Sequence, residues 1–329
     1  MKVRLVNVDP IEVLADVERR YSSRAHGVDR ATARFNTSFH TEREAPDLPP
    51  RPSEKPYSFK RWLPLILRSR GLTPSDAQVV AFSRAQARLL LQVADASIPS
   101  GAINRIYRED INQEIAPALE SLAFPPEGLF MRLDACSAKD GVQKIPGNSA
   151  LRSAESEEFE LFFTPWNGRM RSEREYRVFC PPFRSQELLR ISAISQYRWH
   201  REWLFYFASD EQRNQVVGRV AEGSDEIRKQ IAAELHVGDE MDDLLMRQGL
   251  TFDVFYDEEQ DLVQLVELNV FGARSACGSC LFQWVTDRKT LEGRGEPNDV
   301  EFRVTYQEIG YEEPSDYDEE DDEEDDDRE

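Results

Sequence analysis

The 329-residue sequence has neither a P-loop nor a G-x-G-x-x-G turn, and so lacks the two commonest glycine-rich phosphate cradles. A nucleotide, if one binds, has to be held by side chains and metal. No stretch approaches the roughly 18 consecutive apolar residues of a membrane span, and the opening MKVRLVNVDPIEVL reads as a strand and a helix start rather than as a secretory leader. The expectation is a cytoplasmic protein with no membrane role. Cysteine and histidine are both scarce, at four residues each. Four cysteines are too few for a disulfide scaffold in a chain of this length, and only Cys277 and Cys280 form a C-x-x-C pair. Zinc would need a second pair or histidines close by, whereas His26, His40, His200 and His236 are scattered along the sequence. The cysteines therefore read as reduced residues in or near the core, and chemistry built on histidine starts unfavoured.

What is present is charge and aromatic bulk. Lys and Arg number 41 against 62 Asp and Glu, a formal charge of −21, and 40% of the residues are hydrophobic, including 18 Phe. That suffices for one large domain or for two lobes sharing a site. The acid is unevenly spread. Tyr311 to Glu329 hold 14 acidic residues and the single Arg328, a charge of −13 that leaves only −8 on the preceding 310 residues. Residues 311–329 read as a disordered acidic tail.

Residues 2–7 alternate weakly, as a strand does, and Pro10 to Arg20 has helical spacing at Ile11, Val13, Leu14 and Val17. Residues 22–56 are rich in Arg, Ser and Pro and read as a mobile linker or long loop. Helical patterns follow at Phe59 to Leu67, from Thr73-Pro74 to about Ala96, and from Asn104 to Leu122. From Gly128 the period changes to that of half-buried strands, at 129–133, 159–163, 175–180, 188–197, 251–256 and 262–270. A long amphipathic stretch from Asp210 to about Met246 separates the fourth from the fifth. Mixed strands around one long helical region predict an α+β fold rather than a doubly wound parallel sheet.

In TFDVFYDEEQDLVQLVELNVFG, two strand-like runs flank the acidic turn Asp257 to Asp261, which predicts an antiparallel hairpin. Glu267 and Asn269 are two apart and face one way, while Val266, Leu268 and Val270 face the other. With Asp253 turned to the same side, the hairpin offers two carboxylates and an amide oxygen, hard ligands that suit Mg²⁺. The alternative is a solvated acidic face, but Glu267 has apolar neighbours on both sides, where a carboxylate needs a partner. In GLFMRLDACSAKDG, Arg132 and Asp134 share a face and Lys139 and Asp140 follow in a loop; a cation there binds phosphate or pairs with Asp134. In SEREYRVFCPP, Glu175 and Arg177 share a face, either for ribose hydroxyls and phosphate or as an exposed cross-strand ion pair. Arg190, Ser192 and Gln196 share a face of ELLRISAISQYRWH.

RLDACSAKDG, EYRVF, LLRISAISQY, FDVFYD and LVELNVFG, closing with LFQW, follow one another in an order that resembles the cell division cycle protein 123 family. The resemblance spans roughly residues 128–310. It implies an ATP-grasp-like core of two lobes meeting near 164–167, behind a divergent N-terminal helical region, residues 1–127. It implies ATP and Mg²⁺ as cofactors and assembly-chaperone activity toward the GTPase (gamma) subunit of translation initiation factor 2, without direct nucleic-acid contact. Motif by motif, Arg132 stands where the family usually has a phosphate-binding lysine, and Thr164, Trp166 and Asn167 stand at the hinge that holds adenine. Glu175 would take the ribose and Arg177 the phosphates. Asp253, Glu267 and Asn269 would hold magnesium, where the family has Asp, Asp and Asn. The chain departs from the family at Arg132 and Glu267, at Tyr197 in place of a basic residue, at Val270 in place of proline, and over Ala273 to Ala276 after Gly272.

Two further functions draw on the same residues. One is an ATP-grasp ligase that joins a carboxylate to an amine through an acyl phosphate, chemistry that rests on positioning and charge neutralisation. The other is an interaction module that has lost its nucleotide, as the departures suggest. The acidic tail fits a basic partner surface reached by long-range attraction, or only solubilises the chain. No catalytic residue is assigned.

Overall fold

The computed structural model describes residues 1–24, 33–48, 50–97, 104–134, 158–183, 189–295 and 299–307. In chain order the elements are β1 (Lys2–Val8), α1 (Pro10–Arg24), α2 (Phe59–Ser69), β2 (Gln78–Ser83) and α3 (Arg84–Ser97). Then come the short turns α4 (Arg108–Asp110) and α5 (Ala116–Leu119), joined through a π-helical turn at Ile111–Ile115, followed by β3 (Leu129–Leu133) and β4 (Glu158–Pro165). The remainder is β5 (Glu175–Cys180), β6 (Ala193–Gln196), α6 (Asp210–Ala233), α7 (Glu240–Gln248), β7 (Leu250–Asp257), β8 (Leu262–Val270), α8 (Arg288–Leu291) and β9 (Asp299–Thr305).

The strands form two sheets, one of six strands in the order β1-β9-β6-β5-β7-β8 and one of three in the order β2-β4-β3. The small sheet is antiparallel. The large one is mixed, because β9 runs parallel to both β1 and β6 while β5, β6, β7 and β8 pair antiparallel. This is the α+β architecture the strand pattern predicts. The small sheet ends at Pro165 and the large one resumes at Glu175, so residues 166–174 connect the two.

One face of the large sheet is apolar for a local reason: the alternate residues Tyr176, Val178 and Cys180 of β5 and Phe252 and Val254 of β7 point the same way. They pack against Val217, Val220, Ile227 and Ile231 of α6 and against Trp62 and Ile66 of α2. α6 begins in a capping box in which Ser209 and Gln212 satisfy each other's backbone N–H. Gly223 lets this helix lie close to the sheet, since a Cβ there would sit 2.4 Å from Val263. α2 starts at Ser58, whose Oγ accepts from the Arg61 N–H at 3.2 Å, and ends at Ser69, whose Oγ accepts from the Leu265 N–H on the edge strand β8 at 2.9 Å. Among the described residues no helix is long and apolar enough to cross a membrane.

Three expectations change in the folded chain. The helix expected from Thr73 to Ala96 is a single 3-10 turn, then β2, then α3. Val79, Val80 and Phe82 fit either period, and pairing with β4 decides: Val80 and Phe82 are buried while Val79 and Ala81 face out. The region ahead of Gly128 is built into both sheets rather than standing before them, because β1 pairs with β9 and β2 with β4. The described part of 22–56 is a loop, but a held one. Asn36, Phe39 and His40 donate their backbone N–H groups to the carbonyls of Cys280, Ser275 and Ala273 at 2.6, 2.9 and 2.8 Å. Buried Asp16 of α1 accepts the Arg34 and Phe35 N–H groups as well as the Arg19 and Arg20 guanidiniums. The expected acidic tail lies outside the described residues, as do Lys139 and Asp140.

His40 is buried in this loop, with Nε2 lacking a hydrogen-bond partner. Burial lowers its pKa from 6.5, against the opposing pull of Glu44. The unfolded chain therefore takes up this proton at a higher pH than the folded chain does. The stability is whole above 6.5 and is lost as pH falls through that value toward the lower folded one. Urea unfolding on either side of pH 6.5 is expected to show this loss, and His40→Gln to flatten it. An unchanged slope in the variant would remove His40 as its source.

Candidate functional site

The face of the large sheet opposite the α6 core carries charge. Arg177 of β5, Asp253 of β7 and Glu267 of β8 stand in one register row, with Asn269 opposite Thr251 in the next. Strict alternation would put Leu265 on the same side as Glu267. A bulge between Asp253 and Val254 changes the phase, so Leu265 joins Leu268 and Val270 in the core while Glu267 stays beside Asp253. Asp253, Glu267 and Asn269 thus stand on one face of the hairpin, and Asn269 Nδ2 donates to Asp253 Oδ2 at 3.3 Å. Both carboxylates are buried, Asp253 at 0% and Glu267 at 5% exposure.

Each carboxylate already faces a guanidinium. Arg177 donates through Nε and Nη2 to the two oxygens of Asp253 at 2.8 and 2.7 Å, and through Nη1 to the Gly278 carbonyl at 2.6 Å. Burial pulls the Arg177 pKa down, but the charge and hydrogen bonds of Asp253 outweigh it and leave the pKa above the ordinary arginine value. The guanidinium lies over the Tyr197 ring, 5.0 Å from its centroid. Arg132 reaches across from β3 of the small sheet to bond Glu267 through Nη1, and stacks over Phe59 at 4.7 Å. Its Nε is buried without a partner. Arg132 does not pair with Asp134, which accepts instead from the Lys60 N–H at 2.7 Å.

Among the described residues Arg70 is a third cation near these pairs, and the sequence pattern missed it. Sitting just past α2, it donates to the carbonyls of Leu265 and Val266, at the bulge, at 3.2 and 3.4 Å. Burial first, then Arg132, push its pKa down to about 10, with Glu175 pulling the other way. Nothing in LRSRGL distinguishes it from a surface arginine at a helix end. Gln264 was missed for a similar reason: register places it opposite Phe255, two positions along β7 from Asp253, and its Oε1 is buried without a partner.

The stretch at 164–167 leads out of the small sheet. Thr164 pairs with Phe130 and so points to the same side as Arg132, and its Oγ1 is buried with no partner. The Trp166 ring is half exposed and lies 6.5 Å from Phe130, while the Trp166 backbone N–H donates to the Gly128 carbonyl at 3.0 Å. Asn167 Oδ1 accepts from the Arg169 N–H at 3.0 Å. Unpartnered polar atoms on Thr164, Arg132 and Gln264, beside two carboxylates and three guanidiniums, are a donor set that fits a metal-bound polyphosphate ligand. Among the described residues no group of three or more His, Cys, Asp and Glu forms a metal cluster, so the fit rests on two carboxylates and one amide.

A family model described as D123 matches residues 127–325. The chain belongs to the D123 family. Two solved structures resemble it, Cdc123 from Schizosaccharomyces pombe and a C-terminally truncated form of the same protein. Each is 16% identical with a TM-score of 0.44, over 77% of this chain and 97% of the other. No curated protein matches the sequence.

Other polar residues singled out in the sequence serve the scaffold of this D123 member. Arg190 caps the Gly293 carbonyl at 2.5 Å, Ser192 donates to the Leu291 carbonyl at 2.6 Å, and Gln196 bonds the Thr305 N–H and the carbonyls of Arg198 and Arg201. Cys277 and Cys280 are buried and form no disulfide.

Proposed function

We propose that this D123 protein binds ATP with Mg²⁺ between its two sheets and acts as an assembly chaperone or binding factor for the GTPase (gamma) subunit of translation initiation factor 2. The observation that carries the nucleotide half is the meeting of Asp253, Glu267 and Asn269 on one sheet with Arg132 of the other. Family membership carries the partner half. Bound Mg²⁺ would neutralise phosphate charge. Asp253, Glu267 and Asn269 would hold it, Arg132 and Arg70 would face the phosphates, Glu175 the ribose, and Thr164, Trp166 and Asn167 the base. Arg177, with Nε, Nη1 and Nη2 all engaged, acts chiefly as the counter-ion that keeps Asp253 in place. Ordering of the space between the sheets, and through it of a partner surface, is the role assigned to nucleotide.

Thermal and urea unfolding with and without Mg-ATP tests the first half. A ligand that binds only the folded chain, at 100 times its dissociation constant, adds about 2.7 kcal/mol. Absence of any shift at millimolar nucleotide would favour the second reading, an interaction module without nucleotide, which the guanidinium partners of Asp253 and Glu267 favour. Pull-down from extract with and without residues 311–329 tests the second half. Enrichment of the initiation-factor subunit is expected, and its absence with both chains would count against the chaperone role.

A further inference from the structure

The two edges of the six-stranded sheet are finished differently. At β8 the end of α2 seals the edge: Ser69 Oγ accepts from the Leu265 N–H, and Arg70 donates to the carbonyls of Leu265 and Val266. At the opposite edge stands β1, seven residues in unbroken parallel register with β9 from Lys2 opposite Asp299 to Val8 opposite Thr305. Among the described residues no strand lies beyond β1, and no backbone group outside β9 bonds to it. Proteins usually blunt such an edge with a proline, a bulge or a cover, and KVRLVNV has no proline, glycine or bulge. Its two faces differ. Val3 and Leu5 pack, partly exposed, against the core on the α6 side, and Lys2 and Arg4 point to the other. The Arg4 side chain is 65% exposed and donates to Glu301 at 2.5 Å, but Glu301 also accepts from Arg303 at 2.6 Å. Asp287, the other partner of Arg303, serves Arg34 as well. Three guanidiniums thus share two carboxylates at this corner of an otherwise strongly acidic chain.

We propose that the outer edge of β1 is a docking site for an extended segment of a partner protein, which adds a strand to the sheet and alternates acidic with apolar residues. Backbone hydrogen bonds to β1 supply the affinity, and the side chains of alternate residues select the partner. A carboxylate beside Arg4 gives that guanidinium an acceptor it does not share with Arg303. A second one beside Lys2 meets an ammonium whose present partner, Asp299, is 3.9 Å away. Apolar residues on the opposite face of the incoming strand cover the exposed parts of Val3 and Leu5. A second copy of this chain fits less well. Antiparallel pairing of two β1 strands about a twofold axis puts Lys2 and Arg4 of both copies on one face of the joint ladder, where like charges oppose pairing. The site is independent of the nucleotide reading, since β1 lies at the other edge of the sheet from β7 and β8.

The probe is an acetylated, amidated peptide of alternating valine and glutamate, matched in length to β1, added to the full chain and followed by calorimetry and by amide hydrogen exchange over residues 2–8. The peptide is expected to slow exchange at 2–8 and to bind about tenfold more tightly than its valine–lysine counterpart. Arg4→Glu, a change at an exposed side chain, is expected to reverse that order. A valine–glutamate peptide N-methylated at every residue, with no N–H left to donate, is expected to lose binding. Unchanged exchange at 2–8 with millimolar peptide overturns the strand-docking site, as does equal affinity for the acidic and basic peptides or undiminished binding of the methylated one. Slowed exchange at 2–8 that appears without peptide as protein concentration rises assigns the edge to a second copy. Protection that vanishes when residues 308–329 are removed assigns it to the chain's own end. Either result overturns the partner strand.

Discussion

Asp253→Ala is expected to lose about 3–5 kcal/mol of folding stability, because it strands a buried guanidinium. Asp253 is fully buried and occupies two donors of Arg177, whose side chain is 7% exposed. After truncation the Nε and Nη2 groups of Arg177 lose the acceptors they had on Asp253. Arg177 is also locked in its sheet between Tyr197 and the Gly278 carbonyl, and so cannot swing to solvent. Replacing the pair together, as Arg177→Met with Asp253→Leu, should recover most of the loss, since apolar replacements of a buried ion pair are often neutral. Urea unfolding with an unchanged slope against denaturant gives the comparison. A single-mutant loss below about 1 kcal/mol would mean that the pair behaves as a solvated one.

At the junction of α7 and β7, Gly249→Ala is expected to cost about 2–5 kcal/mol, from strain at its backbone angles and from overlap with neighbouring backbone. Gly249 has φ +72, and a Cβ there would lie 2.6 Å from the Pro182 nitrogen and 2.8 Å from both the Cys180 oxygen and the Pro181 carbonyl carbon. None of these atoms can rotate away as a side chain can. Gly71 supplies the contrast, with φ +70 but nothing within 4 Å of its Cβ position. Gly71→Ala should cost only about 1–2 kcal/mol, the conformational part alone. Equal losses at the two sites would show that the close approach of 180–182 contributes nothing. The Gly249 carbonyl also accepts from the buried Tyr57 hydroxyl at 2.5 Å, so the strain would bear on the joint between α7 and the loop before α2.

Strand parity carried the site a long way. Asp253, Glu267 and Asn269 are assigned to one face by counting in twos, and that face is where they stand. The count holds within 267–270, but it fails for Leu265, because the bulge that re-phases β8 leaves no mark in VQLVELNV. Glu175 and Arg177 also read correctly as facing together, yet the partner of Arg177 is on a strand 76 residues further along, and only pairing selects it. Arg70 and Gln264 were invisible because neither belongs to a recognisable spacing; each matters only through what the fold sets beside it. In the same way β2 was hidden in a run that suits a helix equally well, and β9, which lies between β1 and β6, was not singled out as a strand.

Strands β3, β4, β5, β7 and β8, the apolar and polar faces of the β7–β8 hairpin, and the motif series that leads to the D123 family were determined by the amino-acid sequence alone. Those features depend on residues near one another along the chain, whose periodicity is local. Which guanidinium meets which carboxylate was decided only by tertiary structure. A charged side chain is satisfied by whatever opposite charge the packed sheets deliver within reach, and in this molecule Arg132 and Glu267 come from different sheets.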